Sequence, residues 1–150
     1  MAWFLIVLFS YSAVAAPVIA DICVLPPLTV VAVRGRVVTP PWDHGGEESL
    51  EGATVRLHKR SARSGQKVVA ESTTSADGTF SFVDIRPGTY ALEAKHPYLY
   101  STWVEIHVID TPDDIRAPSD IVMALGAGPS GCNGGYAELR PATDFTARPN

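Results

Sequence analysis

The sequence has little that would bind a polyanion: 12 Lys and Arg stand against 16 Asp and Glu, a formal net charge of -4. A phosphate backbone is held by a basic excess, so nucleic acid is not an expected partner. Cysteine is scarce, two in 150 residues, with no Cys-X-X-Cys or Cys/His spacing that would make a zinc site. No Gly-X-Ser-X-Gly elbow, phosphate-cradling glycine loop or Cys/His nucleophile pair occurs, which argues against an enzyme. The four histidines, His44, His58, His96 and His107, contain no i, i+2 or i, i+4 pair that would bring two ligands to one side. Glu47-Glu48 and Asp113-Asp114 are carboxylate pairs in loops, short of the six or more oxygens that calcium takes. No metal and no cofactor is therefore expected.

Charge is also missing from the first twenty residues, MAWFLIVLFSYSAVAAPVIA. Their apolar run has the length of a signal-peptide core and is short for a bilayer span. Small residues before Ala15 and Ala20 offer two cleavage points, and Ala20 is favoured because Pro17 breaks the helix and Asp21 opens the polar chain. The n-region lacks Lys and Arg, so an uncleaved anchor is the alternative. The expectation is a secreted or cell-envelope protein, periplasmic or extracellular, with no stable span once the leader is removed. In that setting an even cysteine count favours a Cys23–Cys132 disulfide. Closing a loop of that size removes about 4.7 kcal/mol of unfolded-state entropy in the simple chain model. Two free thiols or an intermolecular bridge are the alternatives.

Helical period is absent from residue 21 onward, and period-two alternation takes its place. Residues 28–39, LTVVAVRGRVVT, read as one strand or two, with a bend or bulge at Gly35. Ala53, Val55 and Leu57 share one face while Thr54, Arg56 and His58 take the other. The pair Asp77-Gly78 signals a hairpin, and Phe80 with Phe82 points inward after it. Arg86-Pro87-Gly88 turns the chain into a strand with Tyr90, Leu92 and Ala94 inside and Glu93 and Lys95 in water. Val104, Ile106 and Val108 alternate again, and residues 121–125 close the set. About seven strands at this spacing bury their one-sided faces best in two packed sheets. Residues 21–125 thus form one antiparallel Greek-key β-sandwich, and the Gly/Pro-rich tail 126–150 is too poor in apolar surface to order itself.

The ordered set Val-Arg-Gly-Arg-Val-Val, Leu-Glu-Gly-Ala-Thr-Val-Arg-Leu, Ser-Ala-Asp-Gly-Thr-Phe-Ser-Phe and Ile-Arg-Pro-Gly-Thr-Tyr-Ala-Leu resembles the carboxypeptidase regulatory-like domain, from about Val33 to Leu125. That resemblance implies a transthyretin-like (prealbumin-like) sandwich that supports folding, assembly or binding without chemistry of its own. The related collagen-adhesin B-type repeats form a Lys-to-Asn isopeptide bond, but Arg34 and Arg36 stand where the lysine is wanted. The related hydroxyisourate hydrolases end in Tyr-Arg-Gly-Ser, whereas this sequence ends in Thr-Ala-Arg-Pro-Asn.

Function then rests on the aromatics that alternation leaves outside. Trp103, with Tyr98 and Tyr100 just before it and Trp42 in the Pro/Gly-rich loop, forms a candidate binding patch. Its partner would be a protein or a polysaccharide: the expected function is a structural or protein-interaction module, with carbohydrate binding through the aromatics as the alternative. The competing reading of the same rings is burial, under the tail or the Trp42 loop, in a small satellite core.

Overall fold

The computed structural model describes residues 24–41, 45–61, 65–110, 119–126, 128 and 134–142. The leader, Cys23, Trp42 and Cys132 lie outside the described residues. Among the described residues nine strands are formed: β1 (Leu28–Val30), β2 (Arg34–Val38), β3 (Thr54–Ser61), β4 (Gly65–Thr73), β5 (Thr79–Ser81), β6 (Gly88–His96), β7 (Leu99–Val108), β8 (Ser119–Ala124) and β9 (Tyr136–Pro141). They make a five-stranded sheet, β1-β7-β6-β3-β4, and a four-stranded sheet, β5-β2-β8-β9.

The alternation read from sequence selects the core. Val55 and Leu57 of β3, Tyr90, Leu92 and Ala94 of β6, and Val104, Ile106 and Val108 of β7 meet Val37, Phe80, Ile121 and Met123 of the other sheet. Thr102 ties the layers together inside, its hydroxyl donating to the Ala124 carbonyl at 2.8 Å. At the far end the Tyr90 hydroxyl donates to the Arg86 carbonyl at 2.8 Å, locking the corner that enters β6.

Four expectations change. Pairing is not antiparallel throughout: β1 runs parallel to β7 and β2 parallel to β8, because the N-terminal strand crosses between the sheets. That crossing falls at Val31–Val33 and not at Gly35. Gly35 sits inside β2, and a Cβ there would lie 1.8 Å from the Ile121 carbonyl oxygen, so glycine is required for close approach. The Asp77-Gly78 turn forms, with Gly78 at φ 75°. It joins β4 of one sheet to β5 of the other instead of closing a hairpin. Ser75 and Thr79 donate to the Asp77 carboxylate and hold its pKa down to about 2. Finally, part of the tail is ordered, since β9 pairs along the whole of β8 with Ala137 in the core.

Candidate functional site

The outward face of the five-stranded sheet is set by cross-strand rows. Arg56, Glu93 and Trp103 are neighbours in one row, and His58, Ala91 and Glu105 form the next. Arg56 is tied sideways to Glu71 of β4 at 2.6 Å. His58 reaches across the rows, so that its Nε2 lies 3.0 Å from Glu93 Oε2. The Trp103 ring covers the imidazole at 4.8 Å between centroids. Parity thus puts His58 and Glu93 outward as expected, yet both are only 8% exposed instead of lying in water. A sandwich whose outward side chains cover one another in this way buries a hydrogen-bonded polar pair outside its main core.

Farther along the same face Thr89 Oγ1 and His107 Nδ1 are 3.1 Å apart, and His107 Nε2 is 3.3 Å from Glu105. The order hydroxyl, imidazole, carboxylate is that of a nucleophile, base and orienter. Here the three lie flat on β6 and β7, interior strands whose backbone N–H groups point along the sheet plane into ladders. His58 and His107 are not on adjacent strands, since β6 separates β3 from β7. Among the described residues no group of three His, Cys, Asp or Glu could hold a metal ion.

Of the aromatic residues singled out in the sequence, Trp42 lies outside the described residues and the other three fall at the β6–β7 turn and along β7. Tyr98 stands 88% exposed at the β6–β7 turn, beside His96. Tyr100 is 55% exposed and donates its N–H to the Gly126 carbonyl at 2.8 Å, toward the four-stranded sheet. Trp103 is 39% exposed and engages His58.

A satellite core does exist, on the opposite side of the molecule. Val38, Val122 and Ala124 are buried on the outward face of the four-stranded sheet with Tyr136 against them. The β2–β3 loop runs back beside β2, where Ser49 bridges Val38. From that loop Glu47 accepts from both terminal guanidinium nitrogens of Arg140 and from the hydroxyl of Tyr136. Arg140 holds the Glu47 carboxyl below its ordinary value against the opposing effect of burial. Burial, then Glu47, pushes the Tyr136 phenol up to about 12. Sequence reading treats Glu47 as solvated charge and passes over Tyr136 and Arg140. The alternation Tyr136-Ala137-Glu138-Leu139-Arg140 is the signal that would have found the last two.

The family model for the second beta sandwich domain of BOS complex subunit NOMO1-like proteins matches residues 31–124. The chain belongs to this family. The matched residues span β2 to β8, and β1 and β9 lie outside them. No curated protein matches the chain. Among solved structures it is similar to sea bream transthyretin in complex with thyroxine, at 13% identity and a TM-score of 0.46, covering 75% of this chain and 97% of that one. It is also similar to (S)-allantoin synthase, at 16% identity and a TM-score of 0.41, covering 74% of this chain and 45% of that one. The expected all-β sandwich of two sheets is thus formed, and the family that matches is the NOMO1-like one.

Proposed function

We propose that the chain is an exported, non-catalytic β-sandwich that acts as a protein-interaction module within a larger assembly. The observation that carries this reading is the β6–β7 turn, where Tyr98 and Tyr100 stand open to solvent. A large ring left in water gains by docking, and tyrosine offers wide contact area at low conformational cost. The family's name, which describes a complex subunit, is consistent with such a role. The test is crosslinking and affinity capture with the full chain in its native cell. A defined partner captured by wild type and lost with the double variant Tyr98→Ala/Tyr100→Ala supports the reading, and an unchanged capture profile removes it. Export is tested by N-terminal sequencing, which finds Asp21 or Ala16 first if the leader is cleaved. The Cys23–Cys132 bridge is tested by intact mass after alkylation with and without reductant.

A second reading, saccharide binding, is favoured by one observation. Trp103 keeps part of its ring at the surface beside the hydrogen-bonding groups of the five-stranded sheet.

A further inference from the structure

A depression of about 370 Å³ opens on the outward face of the five-stranded sheet. Its origin is the row His58, Ala91, Glu105, in which a single methyl group stands between two long side chains. The walls belong to β3 and β7, two strand spacings or about 10 Å apart at the backbone. Gln66 and Thr89 complete the rim.

Both walls carry hydrogen-bonding side chains. Glu93 as a carboxylate only accepts, so His58 Nε2 carries the proton of that bond. No described protein group bonds to the other ring nitrogen, Nδ1. Glu105 accepts from the facing wall. Among the described residues no lysine or arginine lines the depression, and the Glu105 carboxylate on its wall repels an anion. Occupancy calls for a ligand with hydroxyls pointing in opposite directions around a compact body, since a hydroxyl can donate to Glu105 and can either donate to or accept from the imidazole.

We propose that this depression is a binding site for one ring of a neutral saccharide, seated on Ala91 with its hydroxyls hydrogen-bonded to the His58 imidazole on one side and donating to Glu105 on the other. Thr89 and Gln66, each both donor and acceptor, match the remaining hydroxyls. A compact ammonium group donates from a single centre and cannot reach both walls. Trp103 is a positioning residue here: the face it turns to His58 fixes the imidazole, which Glu93 holds from the side. The site is therefore organised before the ligand arrives.

This inference rests on the saccharide reading and relocates it from the aromatic rings to the notch beside them. The test presents the full chain to an array of neutral, anionic and amine-bearing glycans, followed by titration of retained neutral oligosaccharides. Retention of neutral glycans is expected, with Ala91→Leu abolishing it by filling the notch and Glu105→Gln weakening it about tenfold. Both positions are on the surface side of the sheet, and an unchanged thermal midpoint verifies that the variants fold. Retention that survives Ala91→Leu but is lost with Tyr98→Ala or Tyr100→Ala overturns the notch and leaves the aromatic reading standing. Selective capture of sulfated, sialylated or amine-bearing glycans overturns the assigned chemistry. Silence across the array ends both.

Discussion

The outward face of the four-stranded sheet lies under the chain's own β2–β3 loop, whereas that of the five-stranded sheet is covered by side chains of its own strands. On the first face the loop brings Glu47 to Arg140 and Tyr136, and Val38, Val122 and Ala124 are apolar and buried. On the second, His58, Glu93 and Trp103 shield one another, and Arg56 pairs with Glu71. A strap excludes water from hydrocarbon and closes the face to partners. A layer of mutually bonded polar groups leaves notches and hydrogen-bonding capacity at the surface. The two faces of one sandwich thus divide stability from availability.

The sharpest way to break that comparison is to place a charge under the strap. Val122→Asp should cost about 3 kcal/mol or more, since Val122 is fully buried with Val38, Ala124 and Tyr136 and a carboxylate there would be stripped of water. Urea denaturation measures it, and a loss near zero would mean the strap does not exclude water.

The next effect removes the clasp. Arg140→Ala should cost about 2 kcal/mol, because a bidentate, partly buried contact is lost and Glu47 is left without its main partner. The pH dependence has a definite sign. Glu47 is held below its ordinary 4.5, so its contribution is fully present above that value and is lost as pH falls through the lower folded value. The stability gap between wild type and Arg140→Ala should therefore be widest near neutrality and close in acid. A gap independent of pH would show that Arg140 acts through packing alone. In ultraviolet titration the Tyr136 phenol should ionise late, at about 12, in a step that Tyr136→Phe abolishes.

Sequence reading reached one part of this division and missed the other, for physical reasons. Alternation says which side chains share a face, and it placed Val55, Leu57, Leu92, Val104 and Ile106 in the core. It does not say which strand lies next door. His58 and Glu93 therefore read as solvated, because their cover is Trp103 on β7, whose place beside β6 is decided by tertiary pairing. Gly35 read as a bend because its real constraint, the Ile121 backbone, is distant in sequence. The tail read as featureless because Gly and Pro dominate its composition, while β9 needs only six residues and the β8 edge to dock on. The candidate site suffers most from this limit: its aromatics were legible one by one, and the notch at Ala91 depends on a three-strand register.

The polar face should respond more weakly. Trp103→Ala should cost about 1 kcal/mol, as the ring is partly exposed and its removal uncovers a pair that water can solvate. If thermal melting shows a loss as large as that of Val122→Asp, the outward face of the five-stranded sheet is a second core and the contrast between the faces fails.

The smallest effect belongs to the β6–β7 turn. Tyr98 is 88% exposed, so its ring adds little to the folded state that the unfolded chain does not already have. Tyr98→Ala should change stability by less than about 0.5 kcal/mol, within the range of ordinary surface substitutions. A larger loss in the urea midpoint would mean that the ring is packed in solution and unavailable for docking. A near-zero change combined with loss of partner capture would separate the two roles of this molecule at a single side chain, since the same substitution would leave the strapped face intact and silence only the open one.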